Sequence, residues 1–254
     1  MTNFSAIYKY LDALFPTSLS CDWDNDGLMC VTDTEKSISR ILLTLDITEK
    51  SIDYAVANRY DLIVSHHPLV FSPVRRVSVT DSVGKRLIKL IKNDLPAISF
   101  HTRLDAADNG VNDALASALG LRDVRKFGNA DDTIGRIGTV DKTDLPTFAR
   151  TVKDRLGAGS ITVSDSGLAV NRVAVLGGAG KDYADAAKAA GADTYVTGEM
   201  GYNALLDRSG EMNIILAGHY FTEVPVLEKI KELLLKLDTD LCFGFFDCDC
   251  EDFY

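Results

Sequence analysis

The sequence predicts an α/β protein of two similar lobes, and two observations carry that expectation. From residue 40 onward, short apolar runs alternate with amphipathic segments of helical period, the pattern of a largely parallel sheet covered by helices. Residues 40–67 also align without a gap on 172–199, pairing Arg40 with Arg172, Asp53 with Asp185, Ala55 with Ala187, Ala57 with Ala189, Asp61 with Asp193 and Val64 with Val196. A repeat of this length reads as an internal duplication.

The opening MTNFSAIYKYLDALF has apolar residues at helical spacing. RILLTLD (40–46) and DLIVSH (61–66) are buried strands by composition. Between them, Ile52, Ala55, Val56 and Arg59 fall at helical offsets behind Thr48, a suitable N-cap. DSVGKRLIKLIKND is the next helix, with Val83, Leu87, Leu90 and Ile91 on one face. PAISFH (96–101) is a strand, and GVNDALASALG is a helix closed by Gly120. The rhythm then repeats. DTIGRIGTV is a strand and DLPTFARTVKDRL a helix; ITVS and RVAVLGG are strands, DYADAAKAAG a helix, DTYVTGE and MNIILAGH strands. VPVLEKIKELLLKL closes the series as a helix with Pro225 in its first turn, where the missing N–H costs nothing. The polar, glycine-containing KFGNADD (126–132) is the best boundary. It gives a first lobe of 1–127 plus 213–254 and a second of 128–212.

Composition narrows the function. A formal charge of −10 argues against extended nucleic-acid binding. No apolar run is long enough to span a bilayer, and the first residues lack the order of a secretion signal, so the expected location is the cytoplasm. Five cysteines in such a chain do not suggest a disulfide framework. Cys248 and Cys250 form a Cys-x-Cys that reads as reduced thiols at a strand end, since metal-binding cysteine pairs are usually spaced more widely.

The chemistry lies in the histidines. All four, His66, His67, His101 and His219, come just after a run of strand character. Asp105 follows His101 by four residues, and Glu223 follows His219 by four. Imidazole with carboxylate is a ligand set for zinc, iron or manganese, whereas calcium and magnesium prefer oxygen alone. A mononuclear catalytic zinc takes three protein ligands. Six candidates, His66, His67, His101, Asp105, His219 and Glu223, suit two divalent ions per subunit, which together can activate water and clamp a substrate oxygen. The expected site lies at the C-terminal strand rims between the lobes, where open α/β sheets place their ligands. Glu199, opposite His67 in the repeat, is the candidate general base.

The motifs WDNDGL (23–28), LTLDIT (43–48), DLIVSHHPLVF (61–71), HTRLDAADNGVND (101–113), TGE (197–199) and GHYFTE (218–223) together resemble the GTP cyclohydrolase 1 type 2 homologue family, also called the NGG-interacting-factor-three-like family. The resemblance extends from residue 23 to 223. It implies a two-lobed α/β fold, a toroidal homohexamer and a dinuclear site facing an inner cavity, with the same six residues as ligands. It further implies a metal-dependent hydrolase of a nucleotide-like or phosphate-bearing small molecule, with GTP or a related nucleotide as substrate and attack at C8 of the guanine ring. The alternative is a non-catalytic metal-binding or regulatory ring that binds a protein partner. The chain departs from the family at Tyr220 and in Met200–Asn203, where relatives often carry histidines, and at Asp26, where they tend to be apolar or small.

LGGAGKD (176–182) has the glycines of a phosphate loop, but Val175 and Asp182 stand where a first glycine and a Ser/Thr belong. It reads as a tight turn or a simple anion cradle. Arg75, Arg76 and Arg103 are candidates to offset the acidic surroundings for a phosphate-bearing substrate, and Arg75 and Arg76 read equally as part of an exposed loop.

Overall fold

A computed structural model of the chain describes residues 2–129 and 132–247. The chain divides into two compact units. One comprises residues up to Ala107 together with the segment from Leu227; the other is Asp108–Val226.

The first unit is built on a five-stranded sheet in the order Cys242–Phe245, Arg40–Thr44, Leu62–Ser65, Ala97–Ser99, Gly27–Cys30. All neighbours are parallel except the last pair. Leu62–Ser65 is buried at every position, as expected of a central parallel strand covered on both faces. Helix Glu49–Ala57 begins at Thr48 through a capping box with Ser51, in which each side chain answers the other's backbone N–H. Its Ile52 and Ala55 meet Leu42, Ile63, Leu90 and Ala97 in one apolar cluster. Each large aliphatic there contributes roughly 1.5–3 kcal/mol by leaving water.

The second unit has a six-stranded sheet in the order Arg122–Asn129, Asp132–Thr143, Val170–Ala179, Thr194–Glu199, Asn213–Leu216, Thr162–Ser164. Its three central strands, Val170–Ala179, Thr194–Glu199 and Asn213–Leu216, are parallel, and the flanking pairs are antiparallel. The core combines Leu115, Phe148, Val152, Val173, Val175, Val196 and Ile215.

The 132-residue offset seen in the sequence holds in strand register. Ile41 pairs with Leu62 and Val173 with Thr194; Leu43 pairs with Val64 and Val175 with Val196. The same offset relates a side-chain clamp. Asp61 accepts from the backbone N–H of Ser39 and Arg40, and Asp193 does so from Asn171 and Arg172. A left-handed residue ends the preceding helix in both cases, Arg59 at φ 56° and Gly191 at φ 89°. The equivalence is therefore one of topology, register and local hydrogen bonding.

Within KFGNADD, Lys126–Asn129 belongs to the strand Arg122–Asn129, which pairs antiparallel with Asp132–Thr143. The units exchange at 107/108 and 226/227, rather than near 127 and 212, because helix Val111–Ala118 and Leu121 contribute Leu115, Ala116 and Leu121 to the second unit's core. Cys248 and Cys250 lie outside the described residues. Among the described residues no helix is long and apolar enough to cross a membrane.

Candidate metal centre

In the first unit, two strand ends deliver three imidazoles. His66 and His67 follow Leu62–Ser65, and His101 stands two residues past Ala97–Ser99. Adjacent residues of an extended chain point to opposite faces, yet the rings of His66 and His67 are only 4.9 Å apart. The chain turns there, and Ser65 Oγ donates to His67 O, 2.9 Å away. His101 completes a triangle, its ring 5.2 Å from His66 and 5.6 Å from His67. One ring nitrogen from each of the three lies within 4.8 Å of the others.

Each imidazole is oriented through Nδ1. His66 Nδ1 lies 2.9 Å from Phe100 O, His67 Nδ1 3.0 Å from Asp46 Oδ1, and His101 Nδ1 2.9 Å from Asp24 Oδ1. All three partners are acceptors, so Nδ1 carries a proton and, in the neutral ring, the lone pair lies on Nε2. This is the arrangement of metal-ligating histidines. Asp105 Oδ1 adds a carboxylate 3.6 Å from His66 Nε2. Asp105 belongs to the one-turn helix Thr102–Ala106, whose first residue follows His101 directly.

The WDND segment anchors this loop, a role that sequence reasoning missed. Asp24 accepts from Thr102 Oγ1 at 2.6 Å and Thr102 N at 3.0 Å, besides His101. Burial pushes its carboxyl upward, but the bonds from Thr102 and His101 outweigh this and hold it below the usual range. Asp26 accepts from His101 N and from Arg103 Nε. Arg103 is fully buried, donates to Asp12 Oδ1 at 2.7 Å and Phe15 O at 2.9 Å, and lies over the Phe100 ring. It is therefore spent inside the fold and does not face a substrate phosphate. The extra charge at Asp26 finds its partner in Arg103. Two carboxylates bracketing Asn25 in a loop were the available signal.

Arg75 and Arg76 are exposed and line a cavity of about 460 Å³ that Asp81 also lines.

In the second unit, His219 and Glu223 sit one turn apart on the helix His219–Glu223, where i and i+4 share a face. His219 Nε2 is 3.2 Å from Glu223 Oε2, and its Nδ1 is 3.0 Å from Glu199 Oε1. Glu199, the candidate base, thus stands where an orienting carboxylate would stand. Gly178 and Gly198 make room for the pair. A Cβ on Gly178 would lie 2.3 Å from Glu223 Oε1 and 3.2 Å from His219 Nε2; one on Gly198 would lie 2.8 Å from His219 Cα. The LGGAGKD glycines are engaged internally. Gly177 N donates to Asn112 Oδ1 and Gly178 N to Thr222 Oγ1, so the anion-cradle reading is replaced by a tight packing turn. Thr197 Oγ1 and Tyr195 OH hold the carbonyls of Gly178 and Gly180.

The described residues therefore contain histidine and glutamate groups that could hold a metal ion. The donors fit one: the imidazoles of His66, His67 and His101 are each held through Nδ1, and a close-packed glycine wall shapes the surroundings of His219 and Glu223.

The family described as Duf34/NIF3 (NGG1p interacting factor 3) matches residues 2–249. A Clostridium perfringens protein named GTP cyclohydrolase 1 type 2 homolog is 33% identical over 245 residues, covering 93% of each chain. A Methanocaldococcus jannaschii protein of the same name is 31% identical, covering 90% of this chain and 93% of its own. Among solved structures, a Staphylococcus aureus hypothetical protein aligns over 99% of both chains, with a TM-score of 0.90 and 25% identity.

Proposed function

The chain belongs to the Duf34/NIF3 (NGG1p interacting factor 3) family, and on that footing we propose that it is a dinuclear-metal hydrolase of a nucleotide-like or phosphate-bearing small molecule. In this reading His66, His67, His101, Asp105, His219 and Glu223 hold two divalent ions, zinc, iron or manganese, in each subunit of a cytoplasmic homohexameric ring. One observation carries it: the Nδ1 of His66, His67 and His101 is each tied to an oxygen acceptor, and this presets the other nitrogen of each ring as a ligand.

Bound divalent ions supply Lewis acidity and lower the pKa of water to about 7. The chain's own groups do the rest. Asp46 and Asp24 keep the Nδ1 protons of His67 and His101 in place and fix ring orientation; the buried Phe100 carbonyl does the same for His66. Glu199 orients His219 and, as the carboxylate beside it that is not among the six ligands, is also the group we assign to receive a proton from water. The relatives' printed name makes GTP the first substrate to try.

One observation favours a second reading, a non-catalytic metal-binding ring that presents a surface to a protein partner. The carboxylate nominated as base is already engaged with His219 Nδ1. Metal analysis with a turnover screen separates the two. Two ions per subunit with release of phosphate or ring-opened product from nucleotides supports the hydrolase. Stoichiometric metal with no turnover supports the ring, and absence of metal defeats both.

A further inference from the structure

Trp23, the chain's only tryptophan, and Phe71 are exposed over 62% and 51% of their surface. They are neighbours, with ring centroids 5.9 Å apart and planes tilted by 50°. Each also stands steeply against His101, at 6.1 Å and 74° for Trp23 and 6.3 Å and 72° for Phe71. Two large rings left in water beside a histidine cluster lose the burial that such side chains normally supply to a fold.

The pair is held in place by its loops. Asn25 Nδ2 donates to Val70 O, joining the residue two after Trp23 to the residue before Phe71. Asp24, next to Trp23, is bound to His101 and to Thr102 through both backbone and side chain. Stacking surfaces that are fixed before a ligand arrives spare it the entropy of ordering them.

We propose that Trp23 and Phe71 form a stacking platform that receives a planar nitrogen heterocycle of the nucleobase class beside the histidine cluster. The chemistry selects this class. An aromatic platform rewards a flat π face, and such stacking tolerates any base. The nearby imidazoles and carboxylates demand polar groups at the ligand's edge, because an aliphatic tail or plain phenyl ring would desolvate them without compensation. A heterocycle satisfies both. The inference rests on the reading of the histidine cluster as the reaction centre and names its substrate class.

The single tryptophan makes the test direct. Trp23 fluorescence is titrated with AMP, GMP and ring-free ribose 5-phosphate on the purified protein, with metal content measured on the same sample. The platform predicts saturable quenching by AMP and GMP and none by ribose 5-phosphate. Phe71→Leu should weaken the nucleotide Kd roughly tenfold, whereas Phe71→Tyr, which keeps the ring, should restore it; circular dichroism checks that both variants fold. Equal response to ribose 5-phosphate, no response to any ligand, or an unchanged Kd in Phe71→Leu overturns the proposal. So does a changed sedimentation coefficient in Phe71→Leu with nucleotide binding intact, which would assign the rings to a subunit contact. Quenching without bound metal leaves the platform standing and removes the metal-hydrolase reading; metal and turnover without quenching do the reverse.

Discussion

Asp46 Oδ1 lies 3.0 Å from His67 Nδ1 across 21 residues of sequence, so the carboxylate following strand Arg40–Thr44 sets the ring that ends strand Leu62–Ser65. Parallel pairing of the two strands, Thr44 against Ser65, brings them to the same rim. Replacing Asp46 by Asn keeps the shape but removes the charge that holds the Nδ1 proton. Affinity for zinc, followed by competition with a chelator, should fall about 10–100-fold, with little change in the denaturation midpoint.

Gly178 is the second sensitive point. Its φ of 65° lies in the left-handed region, and an added Cβ would meet Glu223 Oε1 at 2.3 Å. Gly178→Ala should cost about 1–2 kcal/mol from backbone strain, measured by urea unfolding. The carboxylate end of Glu223 is the part that can yield, so the loss of bound metal should exceed what the stability change alone would produce.

Glu199 has two assignable roles at His219, and Glu199→Gln separates them. The amide still meets the ring but neither carries charge nor accepts a proton from water. If Glu199 is the base, kcat falls with metal content intact, and the acidic limb of the kcat profile against pH is lost. If it only orients His219, metal affinity falls and the turnover of loaded protein stays near wild type.

Tyr195 gives a pH signature. Its hydroxyl is buried and donates to Gly180 O at 2.9 Å, and burial raises its pKa above the ordinary value. The folded chain therefore keeps this proton where the unfolded chain has lost it. The stability it contributes is fully present below the unfolded value of about 10 and declines as pH rises beyond it. Tyr195→Phe should lose about 1 kcal/mol at neutral pH. Its unfolding free energy should then converge on that of wild type as pH climbs past about 10, read by urea titration at a series of pH values.

Much of the fold could be read in advance where burial imposes a period. RILLTLD and DLIVSH became the central strands because every side chain of Leu62–Ser65 is enclosed, and Thr48 capped its helix because its hydroxyl satisfies an otherwise orphaned N–H. The short helices Thr102–Ala106 and His219–Glu223 were not legible: five residues each give too little period to distinguish a turn from a loop. KFGNADD reads as a boundary for a related reason, since the largely exposed strand Arg122–Asn129 has the polar composition of a break between elements.

The amino-acid order alone determined which groups bear the chemistry: four histidines at strand ends, with Asp105 and Glu223 one helical turn behind two of them, and a repeat at an offset of 132. Strand-end position and i,i+4 spacing are local properties, and local properties survive in one dimension. Only the tertiary structure decided which nitrogen of each ring is held, that Asp24 and Asp26 buttress His101, and that Arg103 turns inward to Asp12 and Asp26. Several of those contacts join residues 75 or more positions apart, and the partner of a hydrogen bond across such a span is set by how strands stack, which no periodicity records.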